Sequence, residues 1–357
     1  MRANRTKIPY FLALMCCLLN VPVFAGVQGQ PAAFDQDLYK IGAFVVSDSG
    51  RLHRVVLDLQ SQDAVWEDLG GDGAGQLRPT VAALYEHLAF VISLNGDLYS
   101  AQFDGAWQWY YNGNPGVALS GNMSAINYVY NGTSNDAVFV VGDDDSLYVY
   151  WRRDEGDWQW SALGGIALTH YVSAVSYEDK NGNLHLEVYV VGGDGNLYVK
   201  FWDGNAWQWN FVGRPDVNVS VAFPFAQMSD YYTEEVFVIG SDGHLYSVDI
   251  SNTWVDRGGS QLAKPPAGLP LHDGRSSSAF IVGGDGALYK NTSGTSWTSP
   301  GACGLQPFVS PINSGADGYW IFVIDDNGSF LAIADTIAVP CWHGTYGYDL
   351  SAYPGAP

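Results

Sequence analysis

The phrase Gly193-Asp194-Gly195-Asn196-Leu197-Tyr198, followed by Trp207-Gln208-Trp209 and Gly213, recurs in weaker copies along the whole chain. Its anchors stand at Leu52, Leu98, Leu147, Leu197, Leu245 and Leu288, with Phe330 as a degenerate last copy, at intervals of 46, 49, 50, 48, 43 and 42 residues. A period in the forties belongs to propellers or to solenoids. The content of one unit decides between them. In the fourth copy, Tyr171 to Ser176, Leu186 to Val191, Leu197 to Trp202 and Trp207 to Val212 read as short strands, separated by Asp-Gly and Asn-Gly turns. Those turn residues tolerate the positive φ of tight hairpins, so each unit is a four-stranded antiparallel meander. Helical solenoids need long 3.6-periodic stretches, and none stands out here. The expected fold is all-β, a seven-bladed β-propeller of four-stranded antiparallel blades.

The ends fall outside the period. Arg2, Arg5 and Lys7 precede the apolar run Ile8 to Leu19, and Val23-Phe24-Ala25 supplies small residues at a cleavage position, so 1–25 reads as a secretory signal. Asn20 and Pro22 interrupt the run, which is too short for a membrane span of ~20 apolar residues. The expected layout is then a linker at 26–33, the propeller at 34–350 and a tail at 351–357, in a secreted, extracellular protein. Of four cysteines, Cys16 and Cys17 leave with the signal. Cys303 and Cys341 remain, and an oxidising compartment allows a disulfide between the last two blades, worth about 3 to 4 kcal/mol by loop closure; the alternative is two separate buried thiols.

Charge narrows the partners. The whole chain carries a formal charge of −21, and without the signal it has 13 basic against 37 acidic residues. Such a surface repels phosphate backbones and anionic lipid, which excludes nucleic acid and argues against membrane insertion.

Comparing the copies with one another separates scaffold from site. Trp66, Trp109, Trp160, Trp209, Trp254 and Trp297 are each followed four residues later by Gly. A feature of nearly every blade is a packing device. A second Trp, two residues earlier, occurs only as Trp107, Trp158 and Trp207, with Gln108, Gln159 and Gln208 between the indoles; the same spacing elsewhere finds Ala64, Asn252 and Thr295. Strand residues i and i+2 share a face, so each run presents two indoles on one side and an amide on the other. An aromatic face suits the C–H side of a sugar ring, and nearby amides suit its hydroxyls. The alternative for these extra indoles is blade-to-blade packing.

Leu186-Glu187-Val188-Tyr189-Val190, the Asp194-to-Tyr198 turn, Phe201-Trp202-Asp203-Gly204 and the Trp-rich strand ending at Gly213 resemble the repeats of bacterial seven-bladed propeller lectins, and more distantly those of fungal fucose-binding propeller lectins. The likeness runs from Phe34 to Asp349. It implies a non-catalytic lectin with several pockets between adjacent blades, for fucose or a related terminal sugar, on glycans or glycoconjugates of cell or matrix surfaces. The candidate carbohydrate-binding residues are then Trp107, Gln108, Trp158, Gln159, Trp207 and Gln208, with Trp151 and Trp202 from the neighbouring strands. Several weak sites would bind glycan-coated surfaces through avidity.

Other functions find less in the residues. Glycoside hydrolysis needs two carboxylates across one bond, and no pattern selects a pair; Ser293-Gly294-Thr295-Ser296-Trp297 has Thr where a sialidase Asp-box has Asp. No Gly-x-Ser-x-Gly or His-Glu-x-x-His occurs. Asp143-Asp144-Asp145 and Asp325-Asp326-Asn327 offer oxygens that calcium would accept, but sister blades place Asp194-Gly195, Asp242-Gly243 and Asp285-Gly286 in the same slot, so hairpin turns explain them and no cofactor is expected. A protein-binding or adhesion platform is the remaining alternative. Asn122, Asn131, Asn218, Asn291 and Asn327 head Asn-x-Ser/Thr sequons, which matter only in a eukaryotic source.

Overall fold

The structure is a computed structural model that describes residues 27–37, 39–61, 63–71, 73–165, 167–178, 182–220, 225–228, 234–249, 251–259, 261–262, 266–270, 277–293, 295–299, 304–313, 319–334 and 348–349. Within them the chain is all strand and turn. Strands β1 to β4 lie within 27–70, β5 to β8 within 77–113, β9 to β12 within 119–164, β13 to β16 within 168–213, β17 to β20 within 225–258, β21 to β24 within 267–298, and β25 to β28 within 305–349. Each group is an antiparallel meander. Among the described residues they form five four-stranded sheets and one eight-stranded sheet, which is two meanders joined by a single parallel bridge, Gln30 to Thr80. The first strand of each meander lies against the first strand of the next, and β25 lies against β1, so the sheets surround an axis as a propeller. Strand β1 begins at Val27 and pairs along β2 (Lys40–Ser47). Residues expected as a linker therefore belong to the first sheet. Cys303, Cys341 and residues 1–25 lie outside the described residues.

A four-stranded meander cannot bury its own faces, so each sheet uses its neighbours. The core accordingly divides into clusters that each join two successive sheets. Val27, Ile41 and Val55 pack with Ile312, Phe322 and Phe330 across the junction of the first and last meanders. Two repeated side chains fill these seams. The anchor leucines open the third strand of their meanders and, with Phe330, are completely buried. At a matching register in the second strand stand Phe44, Phe90, Phe139, Phe237, Phe280 and Phe322, all buried, with Tyr189 in the fourth meander.

The Asp-Gly phrase does its work in the turn between second and third strands. Asp194 Oδ1 accepts the Asn196 amide at 3.1 Å and Oδ2 accepts the Tyr198 hydroxyl at 2.8 Å. Asp144, Asp242 and Asp285 take Tyr148, Tyr246 and Tyr289 in the same way, at 2.8, 2.7 and 2.6 Å. The Tyr289 hydroxyl, ahead of the Ala287 amide, holds the Asp285 carboxyl below its usual range. These oxygens are engaged in their own hairpins, and among the described residues no group of three or more His, Cys, Asp or Glu is placed to hold a metal ion. Gly195 has φ 75°, and a Cβ there would meet the Asn218 side chain at 2.9 Å, which fixes the residue type at that point of the turn.

His53 sits at the first–last junction, 4% exposed, its ring edge-on to Trp66 at 6.4 Å and both ring nitrogens without a hydrogen-bond partner. Burial, the largest cause, lowers its pKa from the usual 6.5, opposed by Asp68 and aided by Arg51. The unfolded chain then binds a proton that the folded chain refuses, so stability falls as pH drops from 6.5 toward the lowered value. Urea titrations between pH 7 and pH 5 should show a loss of at most about 1.4 kcal/mol per pH unit from this group, and His53→Leu should flatten that part of the profile; an unchanged slope would assign the acid sensitivity to other groups.

Candidate functional site

The fourth strands reveal why two kinds of Trp recur. In β8 (Trp107–Gly113), β12 (Gln159–Gly164), β16 (Trp207–Gly213) and β24 (Ser296–Thr298), or beside them, the later indole faces the preceding sheet. Trp109 Nε1 donates to the Leu69 carbonyl at 2.6 Å, Trp160 to Asn112 at 3.0 Å, Trp209 to Leu163 at 3.2 Å and Trp297 to Arg257 at 2.9 Å. Each acceptor lies immediately before the Gly that ends the preceding sheet's outer strand. These indoles are seam staples, as the repeat comparison expects.

The earlier Trp faces the same seam one step further out. Trp107 stands edge-on to Phe44 at 5.8 Å, Trp158 to Phe90 at 5.3 Å and Trp207 to Phe139 at 5.8 Å. Two of the three seams are filled by what surrounds this indole. Around Trp107, the Arg54 guanidinium lies 5.2 Å from the Phe34 ring centre and 5.9 Å from that of Trp107, and it donates to Glu67 and to the Glu86 carbonyl. Trp158 stacks on Tyr150 at 4.8 Å, with the Arg152 guanidinium 4.9 Å from its ring centre; Asp136 holds Arg152 at 2.7 Å and accepts the Tyr85 hydroxyl. Gln108, Gln159 and Gln208 are exposed on the opposite face. Gln208 donates to Asp203 and Gln108 accepts from Tyr110, so the amides do not join the indoles in the seams.

Trp207 behaves differently. With Trp151 and Trp202 it lines a cavity of about 460 Å³ between the third and fourth sheets. Trp151 Nε1 donates to Ser161 Oγ at 3.0 Å, and the rings of Trp202 and Trp207 meet edge-on at 5.9 Å. Of the candidate residues, these three are brought together; Trp107 and Trp158 lie in separate seams.

A larger cleft, about 1000 Å³, opens between the fourth and fifth sheets. Its cause is a shortened hairpin. Trp209 pairs with Lys200, three residues after the anchor Leu197, and Trp254 pairs with Val248, three after Leu245. From anchor to Trp the chain runs 12 residues in the fourth copy and 9 in the fifth. The missing residues are the counterparts of Trp202 and Trp207, the aromatic pair at the outer end of the fourth sheet's hairpin. Asn252, which the spacing puts at the indole's position, instead occupies the tight turn at φ 59°, closed by the Ser251 and Thr253 amides on Asp249 Oδ1. The fourth sheet also contributes Tyr189 where its sisters have Phe, its hydroxyl donating to Glu187 at 2.6 Å. Phe201, Trp202 and Asn210 complete that wall, and Tyr177 stacks on His185 at 4.6 Å beside it. The lining thus combines aromatic faces with carboxylate and amide groups, and none of its described residues is Lys or Arg. Tyr130, whose hydroxyl donates to the Gly204 carbonyl at 2.9 Å, and Trp202 form a wall common to both cavities. Tyr189, Glu187 and Phe201 were not candidates from the sequence. The shortened Leu245-to-Trp254 spacing is the signal that marks their cleft.

A ring of stacked four-stranded sheets is a fold that this chain shares with solved lectin structures. The chain is similar to the BP39L lectin from Burkholderia pseudomallei, with TM-score 0.68 and 19% identity over 90% of this chain and 99% of that one. It is similar to the SapL1 lectin, solved in complex with alpha methyl fucoside, with TM-score 0.52 and 15% identity over 78% and 96% of the two chains, and to AofleA from Arthrobotrys oligospora, with TM-score 0.51 and 12% identity over 77% and 87%. No family model matches the sequence, and no curated protein matches it.

The two Trp classes respond differently to removal of the indole nitrogen. Trp209→Phe strips the Leu163 carbonyl of its donor and should cost about 1 to 3 kcal/mol. Trp107 Nε1 is buried without a protein partner, so Trp107→Phe should change stability by less than about 1 kcal/mol. Denaturant midpoints of the two variants, at equal m-value, check the contrast; equal losses would remove the staple assignment.

Proposed function

We propose that the protein is a secreted carbohydrate-binding lectin that acts without catalysis, its propeller closed by seven blades and its sugar pockets set between blades. The observation that carries the reading is the larger cleft. Its aromatic rings, half-buried Glu187 carboxylate and Asn210 amide meet what a sugar offers, an apolar C–H face and a set of hydroxyls. Fucose or a related terminal sugar is the proposed ligand, supported by the neighbour solved with alpha methyl fucoside. Glycans and glycoconjugates on cell or matrix surfaces are the proposed partners. The smaller cavity is a second pocket beside the larger cleft, so that glycans reaching both would gain through avidity even where the two take different residues. Blade count rests on the meanders within 27–349 and on the contact of β25 with β1.

Trp202 serves both cavities. Trp202→Ala should weaken binding of methyl α-L-fucoside at least about tenfold in calorimetric titration, from lost ring stacking of about 1.5 kcal/mol, while the unfolding temperature moves little. Fucoside affinity unchanged in this variant would move the site elsewhere on the propeller. Secretion and the Cys303–Cys341 disulfide are separate parts of the proposal. The exported protein should begin at Gly26 by N-terminal sequencing and yield one Cys303–Cys341 peptide before reduction; a product retaining residues 1–25 in a washed cell envelope would replace secretion by anchoring.

A further inference from the structure

The two cavities differ in charge. Carboxylates from Glu178, Glu187, Asp203 and Asp249 reach the larger one, in keeping with a chain of formal charge −21. The smaller one has no acidic residue in its lining and two cationic ones, Lys200 and Arg153. In an acidic protein such a pocket stands against its background.

Neither cation is paired with a carboxylate among the described residues. Among the described residues, Arg51, Arg54, Arg152 and Arg257 are each paired with a carboxylate, Asp68, Glu67, Asp136 and Glu235 in turn. Lys200 and Arg153, like Arg78 and Arg214, have no such partner among these residues, and of the four only Lys200 is buried. Lys200 is only 6% exposed, and its ammonium finds just the face of Trp209, 4.9 Å from the ring centre. Burying a cation without an anion is costly, and a cation–π contact offsets a small part of that. Burial lowers the Lys200 pKa, the response of a cation lacking its counter-charge. Register explains why both face the same space. Lys200 pairs with Trp209 on the side of its sheet turned to the third meander, while Arg153, at the end of β11 (Leu147–Arg153), shares the face of Val149 and Trp151 turned to the fourth.

We propose that this cavity binds a sugar residue carrying an anionic substituent, a carboxylate or a sulfate. Lys200 at the buried end and exposed Arg153 at the mouth pair with the anion, and Trp151, Trp202 and Trp207 take the ring. The proposal rests on the lectin reading and adds a second specificity to it: a neutral terminal sugar in the larger cleft and an acidic one beside it, across the Tyr130 and Trp202 wall. An acidic glycan would then be distinguished from its neutral isostere by charge pairing in a poorly hydrated site, where charge-assisted hydrogen bonds are strong.

The test uses the full exported protein and matched probes: methyl β-D-glucuronide, methyl β-D-glucoside 6-sulfate and neutral methyl β-D-glucoside, with methyl α-L-fucoside as the independent readout of the larger cleft. The anionic glycosides should bind at least about tenfold tighter than the neutral glucoside, and the preference should shrink as salt rises. Lys200→Met keeps the apolar stem and Arg153→Gln leaves the buried end untouched; each should lose the anionic preference about tenfold while fucoside affinity stays within twofold. The preferred probe of the two anions identifies whether carboxylate or sulfate is the natural group. Fucoside binding without anionic preference, or a preference that survives both substitutions, overturns the inference and leaves the lectin reading standing. Absence of binding to all four probes and to a wider glycan panel removes both.

Discussion

Everything in this molecule depends on the contact between the face of one sheet and the face of the next. A four-stranded meander exposes two apolar faces, and only a neighbour on each side can cover them. The chain solves this with an anchor Leu or Phe at the start of the third strand and a Phe or Tyr in the second, joined at four junctions by an indole that donates to the carbonyl at the end of the preceding sheet. The apolar pair supplies burial without direction. The indole hydrogen bond supplies register, because only one placement of the two sheets brings Nε1 to that carbonyl. Leu69, Asn112, Leu163 and Arg257 share one position in the repeat, so these four junctions are set at the same height.

Because the junction is repeated, it can be altered locally. Removing one hairpin's end leaves the anchor Leu245, the Phe237 beneath it and Trp254 in place, and opens space only where the extra aromatic pair would have stood. The larger cleft is therefore obtained by omission from a repeated seam. Trp107 and Trp158 illustrate another state, in which the outer indole meets an arginine and aromatic neighbours.

That difference also explains how far the sequence could be read. The repeat, the turn carboxylates and the stapling Trp were legible because each is tied to a backbone requirement that recurs: a positive φ at Gly195, a buried anchor, a carbonyl needing a donor. The outer indoles looked like binding groups because they were unevenly distributed, yet an uneven aromatic can equally be a plug. Counting back two residues from Trp254 pointed to Asn252, whereas strand pairing shows that the hairpin itself is shorter. Residue identity at a fixed offset carries no information once the offset has changed. The Phe to Tyr exchange at Tyr189 was similarly hidden, since either ring suits a seam and only the neighbouring Glu187 makes the hydroxyl useful.

Charge follows from the same geometry. The two faces of a sheet alternate residue by residue, so Lys200 and Phe201, adjacent in sequence, face different cavities. A single strand, β15 (Leu197–Trp202), thus contributes a cation to one cavity and an aromatic ring to an acidic one. Neighbouring pockets in a propeller can differ in specificity without any change of scaffold, because the residues that distinguish them need not contact each other. The wall formed by Tyr130 and Trp202 is the exception: it touches both cavities, and the Tyr130 hydrogen bond to Gly204 ties the third sheet to the hairpin of the fourth. Tyr130 and Trp202 are therefore the positions at which one substitution alters both cavities, whereas Lys200 and Phe201 each alter one.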